Sequence, residues 1–102
     1  MSAADLSAVT LRALQGQPLA DQRVRDMVVA TARAIAERQG VRVHDLAVDA
    51  DRITATLHAG RIEALGFAAE LRRLTTRWYT QKFGEKTLWG EPVDEGEEWK
   101  NR

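Results

Sequence analysis

Apolar positions in the first forty residues recur at three- and four-residue spacing, the period of a helix with one buried face. Leu6, Val9 and Ala13 share such a face, with Leu14 beside them, and predict a first helix from about Ala3 to Gln15. Ser2 suits its N-cap, Asp5 its first turn, and Gly16 its end. Pro18 opens a second helix, expected from about Leu19 to Gln39. Within it Val24, Met27, Val28, Thr31 and Ile35 keep the helical period, and Gly40 offers the left-handed residue that closes it.

The period then changes to two. Leu46 and Val48, then Ile53, Ala55, Leu57 and Ala59, alternate with polar residues, as half-buried strands do. Asp49 to Arg52 form the turn of a hairpin that pairs Val48 with Ile53 and Leu46 with Ala55. Its other face then carries Asp45, Ala47, Thr54, Thr56 and His58. Val41 and Val43 are out of phase with Leu46 and Val48, so a bulge near His44 and Asp45 is expected.

From Arg61 to Phe83 the helical period returns. Ala64, Phe67, Leu71, Leu74 and Trp78 step three and four residues in turn, a heptad-like seam widened by Leu65 and Ala68. Gly66 costs stability inside a helix unless another backbone approaches it closely. Gly84 ends the helix, and the stretch from Lys86 to Val93 suits a short final strand. The expected order is α-α-β-β-α with a possible last β, an α+β domain over residues 1–90, followed by an acidic, mobile tail over 91–102.

Length and composition narrow the function. At 102 residues with 44% apolar content the chain suits one folded domain. Its sixteen alanines and six aromatic residues leave the core dependent on a few large side chains. Charge balances overall but not locally: residues 1–90 hold 13 basic and 10 acidic groups, and residues 91–102 hold two basic and five acidic. Arginine outnumbers lysine twelve to three, which suits phosphate and carboxylate recognition and equally suits a GC-rich coding sequence. Without cysteine there are no disulfides, thiolate nucleophiles or zinc fingers. The first residues lack the charged and apolar regions of a signal peptide, and Arg33 interrupts the most apolar run, so a cytoplasmic protein without a membrane anchor is expected.

Candidate chemistry is sparse. Glycines are scattered singly, without a phosphate-binding pattern, and the serines stand only at 2 and 7. His58 falls diagonal to Asp45 across the hairpin, an acid–base geometry with no third ligand to make it a metal site. The reading is therefore non-catalytic, with no metal and no cofactor. The richest stretch runs from Leu71 to Glu91. There Arg72, Arg73, Arg77, Lys82 and Lys86 offer a basic face for a partner or nucleic acid, while Trp78 falls on the apolar seam with Leu74. Trp89 suits a lid on the core, and Trp99 stands alone in the acidic tail, where a tryptophan can anchor an interface.

Leu74, Trp78, Trp89 and Trp99 are thus the candidate interface residues. The expected function is a small interaction or assembly domain with a protein partner. The alternative is an RNA- or ribosome-associated domain that uses the basic face. A homodimer is expected because a lone hairpin leaves both edges open and a helix of roughly 34 Å overhangs it.

Overall fold

A computed structural model describes residues 5–84, 87–90 and the strand pair at 100–101. The elements run β1 (Leu6–Arg12), a 3-10 turn (Pro18–Ala20), α1 (Gln22–Gln39), β2 (Arg42–Asp49), β3 (Arg52–His58), α2 (Arg61–Phe83) and a two-residue β4 (Lys100–Asn101). The four strands form one antiparallel sheet in the order β2-β3-β1-β4.

The first element corrects the expected architecture: it is a strand, so the domain has two helices and not three. Ser7, Val9 and Leu11 alternate toward the interior and pair with Leu57, Ala55 and Ile53 of β3. A polar residue at one inward position, and apolar Leu6 and Ala8 at outward ones, blur this alternation in the sequence. The fit of Leu6, Val9 and Ala13 to a helix is a weak local preference. Seven paired residues along β3 outweigh it. Ser7 is buried at no polar cost because its hydroxyl donates to the Ala59 carbonyl at 2.9 Å.

The hairpin follows its expected register, Val48 against Ile53 and Leu46 against Ala55, and the register shifts between Val43 and Asp45. The bulge moves His58 opposite Arg42, where an unbroken ladder would have set it opposite Val43. The tight turn is tied down from outside: the Leu19 N–H donates to the Ala50 carbonyl at 2.9 Å and the Ala13 N–H to Asp51 at 2.8 Å.

Helix α1 begins where Asp21 accepts the Arg23 N–H at 2.8 Å and ends at Gly40, whose φ of 69° is left-handed. Helix α2 keeps its expected span, but its buried stripe is Ala64, Phe67, Leu71 and Thr75. A straight helix of 3.6 residues per turn drifts off a seven-residue repeat. By the last turns the drift leaves Leu74 and Trp78 half-buried and carries Thr75 inside. Gly66 is exposed, with no atom within 4 Å of an added Cβ, so no close backbone approach explains it.

Both helices cover the same side of the sheet. Phe67 and Leu71 from α2, Val28 and Ile35 from α1, and Ile53 and Leu57 from β3 close the core. Each such side chain stabilises by about 1.5–3 kcal/mol relative to exposure. Past α2, Leu88 and Trp89 are buried beside the end of β1, where Ala13 bridges Trp89. Among the described residues no helix is long and apolar enough to cross a membrane.

Candidate functional site

The packing of both helices on one side leaves the other face of the sheet without a layer among the described residues. Strand register orders that face in rows. Arg42, His58 and Leu6 form the first; Asp45, Thr56 and Ala8 the second; Ala47, Thr54 and Thr10 the third; Asp49, Arg52 and Arg12 the fourth. Thr10 and Thr54 share a hydroxyl hydrogen bond of 2.9 Å at its middle. Arg52 and Arg12 are cross-strand partners at one end, where Asp49 also meets the Arg52 guanidinium at 3.2 Å. Apart from Leu6, no large apolar side chain stands on these rows. Short hydroxyl and methyl groups lie between arginines at both ends.

At the Arg42 end the bulge places two consecutive residues, His44 and Asp45, where one would oppose Thr56. His44 Nδ1 and His58 Nε2 lie 3.3 Å apart, with the rings edge to face at a centroid distance of 5.1 Å.

Two of the five residues of the expected basic face, Arg72 and Arg73, are engaged within the fold. Arg72 donates to the Gly90 carbonyl at 2.6 Å and so clamps the segment after the helix. Arg73 is bidentate on Glu70, at 2.7 and 3.2 Å, and Arg38 of α1 reaches the same carboxylate at 3.4 Å. The Arg73 hydrogen bonds, with the charges of Arg73 and Arg38, hold the Glu70 carboxyl below its ordinary pKa, and Glu70 in turn raises that of Arg73. Arg77 and Lys82 remain exposed, and Lys86 lies outside the described residues.

The candidate interface residues also separate. Trp89 is buried, and its indole N–H donates to the Thr75 hydroxyl at 2.8 Å. Trp78 packs edge to face on Phe83 at 6.1 Å, and Tyr79 meets the same ring at 4.7 Å. Leu74 is half-buried against the core, and Trp99 lies outside the described residues. The premise of the homodimer changes as well: the hairpin is not a lone pair of strands, because β1 covers the inner edge of β3.

The residues that sequence reasoning missed are Arg12, Arg42, Arg52 and Thr10. Alternation in the hairpin had already placed Thr54, Thr56 and His58 on the open face. Thr10 and Arg12 were hidden because their strand was read as a helix.

No family model matches the chain, and no curated protein does. Among solved structures, a crystal structure of a "putative transposase" from Deinococcus radiodurans R1 superposes with a TM-score of 0.71 at 18% identity, over 100% of this chain and 79% of that one. The two proteins share a fold; at that identity the likeness reaches no further.

Proposed function

We propose that this chain is a non-catalytic nucleic-acid-binding domain, and that the uncovered face of its sheet is the binding surface. The observation that carries the reading is the composition of that face. Protein interfaces are built around aromatic and other large apolar anchors. The large aromatic side chains of the described residues all stand elsewhere, in the core or along α2. What the open face offers instead is Arg12, Arg42 and Arg52 around Thr10, Thr54 and Thr56, with Asp45 beside Thr56 and Asp49 paired with Arg52; the guanidinium and hydroxyl donors suit phosphate and sugar oxygens.

The face is a sheet and not a protruding helix, so an extended single strand lies across it more readily than a duplex groove receives it. Without a Phe, Tyr or Trp platform on that face among the described residues, backbone contacts would dominate and sequence preference would be small. The likeness to a protein described as a transposase supports DNA as the nucleic acid to try first. Non-catalytic is the accompanying reading: the Ser7 hydroxyl is buried and committed to the Ala59 carbonyl, and no nucleophile and base pair up on the open face.

The test is binding of a labelled single-stranded oligonucleotide across a salt series. Three phosphate contacts give a slope of about −2 in log affinity against log salt. Charge reversal at Arg12, Arg42 and Arg52 should abolish that binding, while reversal at Arg77 and Lys82 should leave most of it. Loss through Arg77 and Lys82 alone, or a slope near zero, would refute the assignment to the sheet.

A further inference from the structure

We propose that His44 and His58 form a two-imidazole chelating site for a borderline transition-metal cation such as Zn2+, Ni2+ or Cu2+. The bulge creates it. Val43 pairs with Leu57 and Asp45 with Thr56, so His44 is the extra residue that no ladder position holds. Its ring meets that of His58, the last residue of β3.

The separation of the two nitrogens, close enough for a hydrogen bond between neutral rings, also fits a chelate. His44 Nδ1 and His58 Nε2 are 3.3 Å apart. Two imidazole nitrogens on one tetrahedral ion, each about 2.0–2.1 Å from it, are separated by about 3.3–3.4 Å. The bulge therefore brings together two rings whose nitrogens lie at the edge length of a tetrahedral site. Both rings are accessible from solvent, so an ion can enter without unfolding the strand.

The set is bidentate. No group of three or more His, Cys, Asp or Glu able to hold a metal occurs among the described residues. Water or an external donor would fill the remaining positions, so binding is reversible and weaker than at a four-ligand structural site. Imidazole selects borderline cations, and Mg2+ and Ca2+, which want oxygen ligands, are excluded. The site does not depend on nucleic-acid binding.

Calorimetric titration of the tag-free, chelator-treated full chain with Ni2+ or Zn2+ at about pH 7.5 tests it directly. One ion should bind per chain. His44→Ala or His58→Ala should each weaken binding about tenfold or more, because the second ligand no longer acts at high effective concentration. Each variant's urea midpoint reports whether it is still folded. Ni2+ added to the wild-type chain should broaden NMR signals around His44 and His58 first, a readout that needs no substitution. Wild-type affinity retained in the double variant, broadening centred elsewhere, or no uptake at millimolar metal would each overturn the proposal.

Discussion

Replacing Thr75 with valine should destabilise the domain by about 2 kcal/mol although shape and β-branching are kept. The hydroxyl of Thr75 does two things. It donates to the Leu71 carbonyl at 2.5 Å and accepts the indole N–H of Trp89 at 2.8 Å. Thr75 is fully buried and Trp89 is 2% exposed, so water cannot replace the lost acceptor. A buried donor left unsatisfied costs about 1–3 kcal/mol, whereas deleting both partners of a buried pair is far less costly.

A double-mutant cycle separates that cost from packing. Trp89→Phe alone removes the donor and part of the ring, for about 1–3 kcal/mol from the space left behind. With phenylalanine at 89, Thr75→Val orphans nothing and should cost at most about 0.5 kcal/mol. The expected coupling is therefore about 1.5 kcal/mol. Urea denaturation at unchanged m-value reads it, and for a domain of this size 2 kcal/mol corresponds to roughly 8–16 °C in Tm. Strictly additive costs, or a neutral Thr75→Val in the wild-type background, would show that the hydrogen bond does not hold the segment carrying Trp89 against α2.

Other substitutions test other parts of the fold. Gly66→Ala should stabilise by about 0.5–1 kcal/mol in the same denaturation assay, since the position is helical, exposed and open around an added Cβ. Ser7→Ala should cost about 1–2 kcal/mol by leaving the Ala59 carbonyl without its side-chain donor. Asp21 and Glu70 both have lowered pKa values, Asp21 first through its side-chain hydrogen bond with Arg23 and Glu70 through that with Arg73. Their folded values lie below the unfolded ones. The stability they contribute is thus complete above the unfolded carboxylate range and is lost as pH falls through the folded values. Asp21→Asn with Glu70→Gln should flatten the acid side of a urea-midpoint profile between about pH 5 and pH 2; an unchanged profile would remove both groups from the acid sensitivity.

Much of the fold was legible where one rule dominated. Alternation from Leu46 to Leu57 set both the register and the bulge, because shifting a strand by one residue would send Ile53 and Leu57 to the wrong face. Helix α2 was legible from a period sustained over 23 residues, with Gly84 at its end. The stretch from Leu6 to Arg12 satisfies both periods about equally. Its state is decided by the open edge of β3, a partner forty or more residues away, and nothing within the stretch itself reports that edge. Thr75 likewise meets a neighbour that the period of α2 does not report: Trp89 arrives from the segment beyond the helix and donates to its hydroxyl.

The open sheet face was harder to read for a related reason. Sequence shows where charges are and not how they are occupied. Arg72, Arg73 and Arg77 made the most conspicuous basic row in the chain, yet Gly90 and Glu70 engage the first two. Arg12, Arg42 and Arg52 stand far apart in sequence. Antiparallel pairing places them on one face, and both helices lie on the opposite side, so among the described residues no helix covers that face, although Ala8 within it is buried. The surface is a consequence of strand order, so it depends on β1 being a strand. Had Leu6 to Arg12 remained helical, Arg12 and Thr10 would have left the face and β3 would have been exposed along an edge. The proposed binding surface therefore rests on the correction at the N-terminus. A substitution that weakens β1, such as Val9→Pro, should lower stability and oligonucleotide binding together, whereas Arg42→Glu, at an exposed position of β2, should lower binding with little change in stability.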